Sequence, residues 1–297
     1  MLTLHSGLEA VTRLAEHNAK VYLCARSIER ATTAIQGAIT KYPEAKIEII
    51  QMDHLNFASV KEAAESIVSK TQELHGLVNN AGIMATPFEF SNDGFETQWQ
   101  TNYLSHWLFT AKLVPLLQKT SQGQAPGSVR IVNLSSEGHR QARACGINFD
   151  DTSLKDGGRL ERYGQSKLAN ILHARTLHQK YGPGSDSAKK GNGEIWVTSA
   201  HPGVIATNLL AATKLPWFVM GPINFLSSLG MTSTVDVGAR PTLFCAASPE
   251  MKVEQSGRYF DKLNDRASES ALAKDEGLAK RLDEWTVKVM AEKGYAV

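Results

Sequence analysis

Little in this sequence points to an extracellular, membrane-spanning or nucleic-acid-binding protein. The 297 residues include three cysteines, which are widely separated and lack the spacing of a metal site or a disulfide framework. No apolar run reaches the roughly 18 residues of a transmembrane helix, and no basic region precedes an apolar run as in a signal peptide. The net charge of +2 gives no reason to expect nucleic acid or an anionic membrane as a partner. We therefore expect a cytoplasmic protein without a metal ion.

The composition is that of a globular protein with a substantial core, because 42% of the residues are hydrophobic and 21% are charged. Short apolar segments alternate with segments of helical periodicity, which predicts one α/β domain over residues 1–297 with a doubly wound, mainly parallel, Rossmann-like sheet. The predicted strands are 20–25, 46–52, 74–79, 128–135, 194–200 and 257–260. The predicted helices are 6–17 with Ser6 as N-cap, 28–41, 57–71, 94–119, 159–181, 235–247 and 275–291. The polar insertion 182–193 is predicted to be a flexible loop.

Tyr163 and Lys167 stand one turn apart on a predicted helix, so their side chains share a face. A cation held beside a phenol favours the phenolate, which predicts a lowered pKa for Tyr163. A phenol tuned in this way can exchange a proton with an alcohol or a carbonyl oxygen. A surface tyrosine and a solvated lysine would give the same spacing, so the pair gains meaning only from the residues around it.

Polar and small residues follow several predicted strands, at the edge of the sheet where open α/β folds bind ligands. The segment 79–82 reads NNAG, Ser135 and Ser136 end the strand 128–135, and 201–207 reads HPGVIAT. Asn102 lies in the long predicted helix 94–119, where asparagine is a poor helix former. Each segment alone is equally consistent with an ordinary turn, a helix cap or a buried polar group.

In this order, the NNAG segment, Asn102, Ser136, the YxxxK pair and the PGxxxT segment resemble the short-chain dehydrogenase/reductase family, in particular its retinol-dehydrogenase-like branch. The resemblance extends from Gly7 to about Trp285. It implies that Tyr163 is the general acid/base, that Lys167 lowers its pKa and holds the ribose, that Ser136 positions the substrate oxygen, and that Asn102 supports a proton relay. It also implies an NADP(H) site, and the residues expected to bind the cofactor are Gly7, Arg26, Asp53, Asn79, Ala81, Gly82, Tyr163, Lys167, Pro202, Gly203 and Thr207.

Arg26 favours NADP over NAD, because a cation after the second strand of the family can pair with a 2′-phosphate. A solvated surface arginine is the alternative interpretation of this residue.

The start of the sequence departs from the family pattern. Gly7 matches the last glycine of the TGxxxGxG turn, but only six residues precede it and none of them is glycine. We therefore expect an N-terminally shortened domain with a gap in its sheet and a weakened phosphate site.

Three hypotheses about the function are compatible with this departure. The first is an NADP(H)-dependent enzyme that interconverts a carbonyl and an alcohol. The second is a redox-neutral isomerase, dehydratase or cyclase that uses the same acid/base group without a dinucleotide. The third is a non-catalytic scaffold that pairs with an intact family member.

The segment 207–231 is apolar and interrupted by two prolines, and it follows the PGxxxT segment, where the family places its substrate lid. Trp217 and Phe218 would form part of an apolar wall, which predicts a hydrophobic small-molecule substrate. His139, close after Ser136, is a further candidate for substrate contact. A buried helix pair without a ligand role is the alternative for 207–231. Homo-oligomers are common in the resembled family, so a homo-oligomer is possible.

Overall fold

The computed structural model describes residues 4–202, 235–261 and 269–297. Within this part of the chain the strands form two parallel sheets, β1 with β2, and a second sheet in the order β3-β4-β5-β6. The predicted Rossmann-like α/β architecture is confirmed, with the sheet divided into two parts. The strands are β1 Lys20–Ala25, β2 Lys46–Gln51, β3 Gly76–Asn79, β4 Arg130–Leu134, β5 Trp196–His201 and β6 Tyr259–Asp261.

Helices separate most of the strands along the chain and match most of the predicted segments. They are α1 Leu4–Glu16, α2 Ile28–Lys41, α3 Phe57–Lys70, α4 Thr97–Trp99, α5 Ser105–Ser121, α6 Arg159–Tyr181, α7 Asp186–Lys189, α8 Val235–Ala247 and α9 Glu276–Glu292. Several begin at polar caps, since Ser27, Asn56 and Asp275 accept backbone N–H groups of α2, α3 and α9. At the start of α6 the Glu161 carboxylate accepts the Gly158 N–H at 2.8 Å.

The single long helix predicted for 94–119 is wrong. Gly94 has φ of +87°, which places it in a turn before the helix. The chain then passes through α4 and a π-helical turn, Gln100–Leu104, before α5 begins. The Glu96 side chain accepts the Trp99 N–H at 2.9 Å and so begins α4 two residues after the glycine.

Two further local predictions differ from the structure. Helix α1 begins at Leu4, so Ser6 lies within its first turn and is not its N-cap. The polar insertion 182–193 contains the short helix α7, capped by Ser185 and tied to α5 by a 2.9 Å hydrogen bond from Gln118 to Ser187. The flexibility of this insertion stays a prediction.

The core forms around β4 and β5, whose residues are all buried. Helix α6 packs against both strands, and α9 packs against α6 through residues that include Leu278 and Leu282. The apolar residues that recur at helical spacing in the C-terminal segment are therefore buried against α6. Among the described residues, no helix combines the length and the apolar character needed to cross a membrane.

The two sheets are separated by a cavity of about 1240 Å³. Its lining includes β1 on one side and β3 on the other, together with apolar residues of α1 and α5. At one end the cavity reaches the turn that follows β3, and at the other it reaches Arg130 and Trp196. The gap expected from the sequence therefore lies between β1 and β3.

Candidate active site

The sequence-predicted polar residues meet where the parallel strands end. Asn79 is the last residue of β3, Ser135 and Ser136 follow β4, and His201 is the last residue of β5. Neighbouring parallel strands place their carboxyl ends at one edge of a sheet, which is where open α/β folds bind ligands. Helix α6 crosses this edge and brings Tyr163 and Lys167 to it.

Tyr163 is buried, with 6% of its surface exposed, and its hydroxyl is hydrogen-bonded to the Ser136 side chain. Burial raises the pKa of the Tyr163 phenol, and the bond from Ser136 lowers it in part. The Lys167 Nζ lies 5.8 Å from the centroid of the tyrosine ring. The expected lowering of the Tyr163 pKa is therefore wrong for this arrangement, and the phenol is protonated at neutral pH.

Lys167 is held by the end of β4. Its Nζ donates to the Leu134 carbonyl at 3.0 Å, and the Asn170 amide donates to the same oxygen at 2.9 Å. Burial lowers the pKa of Lys167 to about 8, so the side chain still carries its charge at neutral pH. In return, the Ser135 hydroxyl donates to the Lys167 carbonyl at 2.7 Å. These three bonds fix α6 against the strand that carries Ser136.

Asn102 lies in the π-helical turn and is fully buried. Its Oδ1 accepts the Ile83 N–H at 2.8 Å, and its Nδ2 donates to the Ile83 carbonyl at 3.0 Å and to the Ser166 hydroxyl at 2.8 Å. The side chain thus joins the turn after β3 to α6. Because single π turns occur often at functional sites, this location agrees with the resemblance, while a part in a proton relay stays a prediction.

The backbone of Gly82 lies close to the side chains of Asn102 and Lys167. A Cβ added at Gly82 would lie 3.2 Å from the Asn102 Oδ1 and 3.2 Å from the Lys167 Nζ. A side chain at position 82 would therefore require the amide of Asn102 or the ammonium group of Lys167 to shift by a few tenths of an ångström. Ala81 and Gly82 line the cavity together with Asn79, and the binding of a cofactor by these three residues stays a prediction.

The adenosine end of the predicted cleft also lines this cavity. Gly7, Arg26 and Asp53 are among its lining residues, and so is Arg30, which the sequence analysis did not single out. Arg26 and Arg30 are exposed; Arg26 directly follows β1, and Arg30 lies in the first turn of α2. A second arginine so soon after β1 was the signal in the sequence that could have identified Arg30.

A buried ion pair steadies the start of α6 beside the tyrosine. The Arg162 Nε lies 3.5 Å from the Glu96 Oε1, and both side chains are at most 5% exposed. Burial raises the pKa of Glu96, and the charge of Arg162 opposes that rise. Arg162 also donates to the Gly157 carbonyl at 2.6 Å. This pair joins two segments that are distant in sequence, so sequence periodicity gave no sign of it.

Gly138 touches the tyrosine ring and was not predicted from the sequence. A Cβ at this position would lie 2.6 Å from the Tyr163 Cε1 and 3.3 Å from the Ser136 Oγ. Contacts below 3.0 Å force atoms to move, so any larger residue at 138 would displace the ring or the loop. Gly138 therefore lets the loop that carries Ser136 lie directly against Tyr163.

We expect Gly138→Ala to reduce turnover by roughly 10²-fold, the loss associated with a displacement of about 1 Å in a catalytic constellation. The measurement is kcat of the purified variant, with circular dichroism to establish that it is folded. Gly37→Ala is the matched control, because a Cβ at Gly37, inside α2, meets nothing within 4 Å. Equal turnover of Gly138→Ala and the wild type would show that the contact has no catalytic consequence.

His139 lies beside this loop, and protein groups engage both of its ring nitrogens. The Ser270 N–H donates to His139 Nε2 at 3.2 Å, which leaves the proton on Nδ1, and Nδ1 donates to the Ser136 carbonyl at 2.7 Å. Burial lowers the pKa of His139, so the ring is neutral. These contacts hold the Ser136 backbone, and the predicted contact of His139 with substrate stays a prediction.

Two residues predicted to bind the cofactor, Gly203 and Thr207, and two predicted to contact the substrate, Trp217 and Phe218, lie outside the described residues. The whole predicted lid 207–231 lies outside them as well. Pro202 is described and directly follows β5.

The chain was compared with known proteins. The family model described as short chain dehydrogenase matches residues 6–150. The short-chain dehydrogenase/reductase drtF of Aspergillus calidoustus is 47% identical over 283 residues, covering 94% of this chain and 88% of that protein. Retinol dehydrogenase 13 of Mus musculus is 31% identical, covering 94% of this chain and 78% of its own length.

A solved structure has the same fold. The structure of NADPH-bound carbonyl reductase from chicken fatty liver matches with a TM-score of 0.59 at 21% identity, covering 86% of this chain and 91% of that chain. The similarity to drtF is high enough, and covers enough of both proteins, to establish the family of this chain. The similarity to retinol dehydrogenase 13 confirms the predicted retinol-dehydrogenase-like character. The chain therefore belongs to the short-chain dehydrogenase/reductase family of oxidoreductases.

Proposed function

We propose that this enzyme uses NADP(H) to interconvert a carbonyl and an alcohol on a hydrophobic small molecule. The observation that carries the proposal is the buried Tyr163, hydrogen-bonded to Ser136 and one helical turn from a charged Lys167. The arrangement lies beside a cleft lined by two exposed arginines. The similar carbonyl reductase from chicken, whose structure holds NADPH, supports the choice of cofactor.

The residues of this chain fit the two ends of a dinucleotide. At one end, Arg26 and Arg30 offer guanidinium groups that suit a 2′-phosphate, and Asp53 lies beside them. At the other end, Gly82 leaves room beside Lys167. The cleft wall also carries buried polar atoms with no partner among the described residues, namely Asn79 Oδ1, His54 Nδ1 and Thr101 Oγ1. Such atoms suit a polar ligand, because an unpaired buried polar group is costly.

Bound NADPH supplies the hydride that adds to a carbonyl carbon. Tyr163 then has the protonated phenol that the carbonyl oxygen requires, since burial raises its pKa. The Ser136 hydroxyl donates a hydrogen bond to the same oxygen and orients it. Lys167 keeps its charge near the phenol and stabilises the tyrosinate left after the proton is transferred.

The apolar sequence of the predicted lid, with Trp217 and Phe218, supports a hydrophobic substrate. The name of retinol dehydrogenase 13 agrees with that substrate class. A cytoplasmic location and a homo-oligomer stay predictions from the sequence.

The proposal is tested first by calorimetric titration of NADPH and NADH into the full chain. We expect NADPH to bind more tightly than NADH, because both arginines can contact a 2′-phosphate. We expect Arg26→Ala to weaken NADPH binding by roughly tenfold, the effect of losing one charge-assisted bond of about 1.5 kcal/mol, and to leave NADH binding almost unchanged. Arg258→Ala, which replaces an exposed arginine on the segment between α8 and β6, is the matched control. Equal losses for the two cofactors in Arg26→Ala would remove the claim of NADP preference.

The redox-neutral alternative is favoured by one observation. The sheet of the described residues lacks a strand between β1 and β3, next to the turn that would meet the dinucleotide. If the folded chain binds neither cofactor, the same acid/base site would support isomerisation or ring closure. Carbonyl compounds would then be screened for those reactions without cofactor, whereas NADPH binding directs the screen to reduction.

A further inference from the structure

The π-helical turn Gln100–Leu104 decides the direction in which Asn102 points. The Ser105 N–H donates to the Gln100 carbonyl, five residues earlier, whereas α-helical pairing would use the Thr101 carbonyl, four residues earlier. A return to α-helical pairing would take one residue out of this turn, which corresponds to a rotation of about 100°. Asn102 would then point away from the two segments that its side chain joins.

The bonds of Asn102 reach the backbone of Tyr163. The Asn102 Nδ2 donates to the Ser166 hydroxyl at 2.8 Å, and that hydroxyl donates to the Tyr163 carbonyl at 2.7 Å. On its other side the Asn102 amide pairs with both backbone groups of Ile83, the residue after Gly82. A rotation of the π turn would therefore break bonds to two segments of the site at once.

Helix α9 is hydrogen-bonded to the residue that follows Asn102. The Tyr103 hydroxyl lies 2.7 Å from the Thr286 Oγ1, and both side chains are at most 1% exposed. Thr286 donates its single hydroxyl proton to the Leu282 carbonyl at 2.7 Å, so Tyr103 is the donor in the bond to Thr286. The π turn is therefore tied to α9.

Aromatic rings add to this contact on both sides of Tyr103. Trp285, beside Thr286, meets the ring of Trp99 with 6.0 Å between the centroids. Trp99 directly precedes the π turn and lies against the ring of Tyr103 at 4.8 Å. The Tyr103 ring also meets the edge of His173 on α6 at 6.0 Å. Two successive residues of α9 thus contact the residue before the turn and one within it.

The buried hydroxyl of Tyr103 makes the α-helical alternative unfavourable. Burial raises the pKa of Tyr103, so the hydroxyl keeps its proton and remains a donor. Rotation of the turn would move this donor away from Thr286, and a buried donor without an acceptor costs more than the bond itself contributes. The His106 Nδ1 also donates to the Asn102 carbonyl at 3.0 Å, but His106 belongs to α5 and moves with it. Of these two bonds, the one to Thr286 fixes the turn relative to a different element.

We propose that Thr286 is a positioning residue: its bond to Tyr103 holds the π turn and thereby keeps Asn102 in place. The line of contacts runs from α9 through the turn to α6, and it ends at the backbone of Tyr163. The effect on turnover rests on the proposed function, because Asn102 can influence a rate only if the site is catalytic. The position of Asn102 itself depends on no reaction.

Thr286→Val and Thr286→Ser separate the role of the hydroxyl from that of packing. Valine has the shape of threonine without the hydroxyl, whereas serine keeps the hydroxyl and loses a methyl group. The first measurement is hydrogen exchange at the Ile83 amide, which donates to the Asn102 Oδ1. We expect this amide to exchange roughly tenfold faster in Thr286→Val, as for one lost hydrogen bond, and at nearly the wild-type rate in Thr286→Ser.

The second measurement is kcat for carbonyl reduction, with NADPH affinity from calorimetry beside it. We expect kcat of Thr286→Val to fall roughly tenfold, because the displacement of Asn102 disturbs the geometry of the site. NADPH affinity changes much less than kcat, and Thr286→Ser retains nearly the turnover of the wild type.

Asp275→Ala is the control for a general weakening of α9. Asp275 is exposed and accepts the Leu278 N–H at 2.8 Å at the start of the helix, roughly 16 Å from Thr286 at 1.5 Å per residue. Loss of this cap lowers stability to urea. We expect exchange at Ile83 and kcat to stay at their wild-type values in this variant.

Unchanged exchange at Ile83 in Thr286→Val, or an equal acceleration in Asp275→Ala, would overturn the proposal. So would a larger effect of Thr286→Ser than of Thr286→Val, because that order would assign the effect to packing. Faster exchange without a change in kcat would refute the effect on turnover. Exchange is measured without substrate or cofactor, so a wild type that reduces no carbonyl would contradict the proposed function alone.

Discussion

Tyr163→Phe is expected to lower kcat for carbonyl reduction by about 10²–10⁴-fold, the usual contribution of a positioned general acid. The substitution removes one hydroxyl, whose partner in the protein is the Ser136 side chain. The ring and its contact with Gly138 remain, so the packing of α6 against the Ser136 loop is preserved. The measurement is steady-state turnover at neutral pH, with cofactor binding measured separately. We expect cofactor affinity to change little in comparison with kcat.

Tyr181→Phe is the matched control for this loss. Tyr181 ends the same helix, about 27 Å from Tyr163 at 1.5 Å per residue, and lies far from the carboxyl ends of the strands. We expect its turnover to equal that of the wild type. If Tyr163→Phe also retained full turnover, the phenol would not be the acid under either catalytic reading, redox or redox-neutral.

Lys167→Met is expected to stabilise the folded protein at neutral pH while it reduces turnover. Burial lowers the pKa of Lys167 from 10.5 to about 8, so the charged form is disfavoured in the folded state. At about 1.4 kcal/mol per pH unit, this difference corresponds to about 3 kcal/mol of stability lost at pH 7. Methionine has a similar length and carries no charge. The Leu134 carbonyl keeps its hydrogen bond from Asn170 at 2.9 Å, so the substitution leaves it with a partner.

The pH dependence distinguishes this cause from better packing. Below about pH 8 the lysine is protonated in both states, so the folded wild type carries the full cost. Between about pH 8 and pH 10.5 the unfolded chain binds more protons, so wild-type stability rises with pH and approaches that of Lys167→Met. Urea unfolding at pH 7 and pH 10 measures the difference. A gain that is the same at both pH values would contradict the assignment to the buried charge.

Lys180→Met serves as the control for charge removal on the same helix. Lys180 is exposed and pairs with Asp283 at 2.7 Å. Exposed ion pairs contribute about 0–1 kcal/mol, so we expect a small loss of stability and unchanged turnover. We expect Lys167→Met to raise the stability and Lys180→Met to lower it slightly. A general effect of methionine on stability would have the same sign in both variants and therefore cannot explain this difference.

The elements that local sequence determines were predicted well. The bounds of α6, 159–181, and of β1, 20–25, agree with the structure because an apolar pattern and clear breaking residues define them. That Ser136, Tyr163 and Lys167 belong to one site was implied by the resemblance to the family, and the structure brings the three residues together at the end of β4.

The remaining features depend on contacts between distant segments. The π-helical turn at Gln100–Leu104 places Asn102 against Ile83 and Ser166, and no periodicity of the sequence announces such a turn. The balance of burial and charge at Tyr163 was predicted with the wrong sign, because the depth of the phenol and the direction of the Lys167 side chain are tertiary properties. Gly138 gave no signal, since a glycine two residues after Ser136 is typical of an ordinary turn.

The reciprocal bonds between β4 and α6 have a consequence for insertions and deletions in this chain. Lys167 donates to the Leu134 carbonyl, and the Ser135 hydroxyl donates to the Lys167 carbonyl, so the position of Ser136 along the chain is fixed relative to that of the lysine. An insertion or deletion of one residue between Leu134 and Ser136 would turn the side chain at the position of Ser136 to the opposite face of the strand end. The segment 143–157 takes no part in these bonds, so its length is set by other contacts. The relative positions of the site residues are thus fixed by two short segments, 134–138 and 163–170.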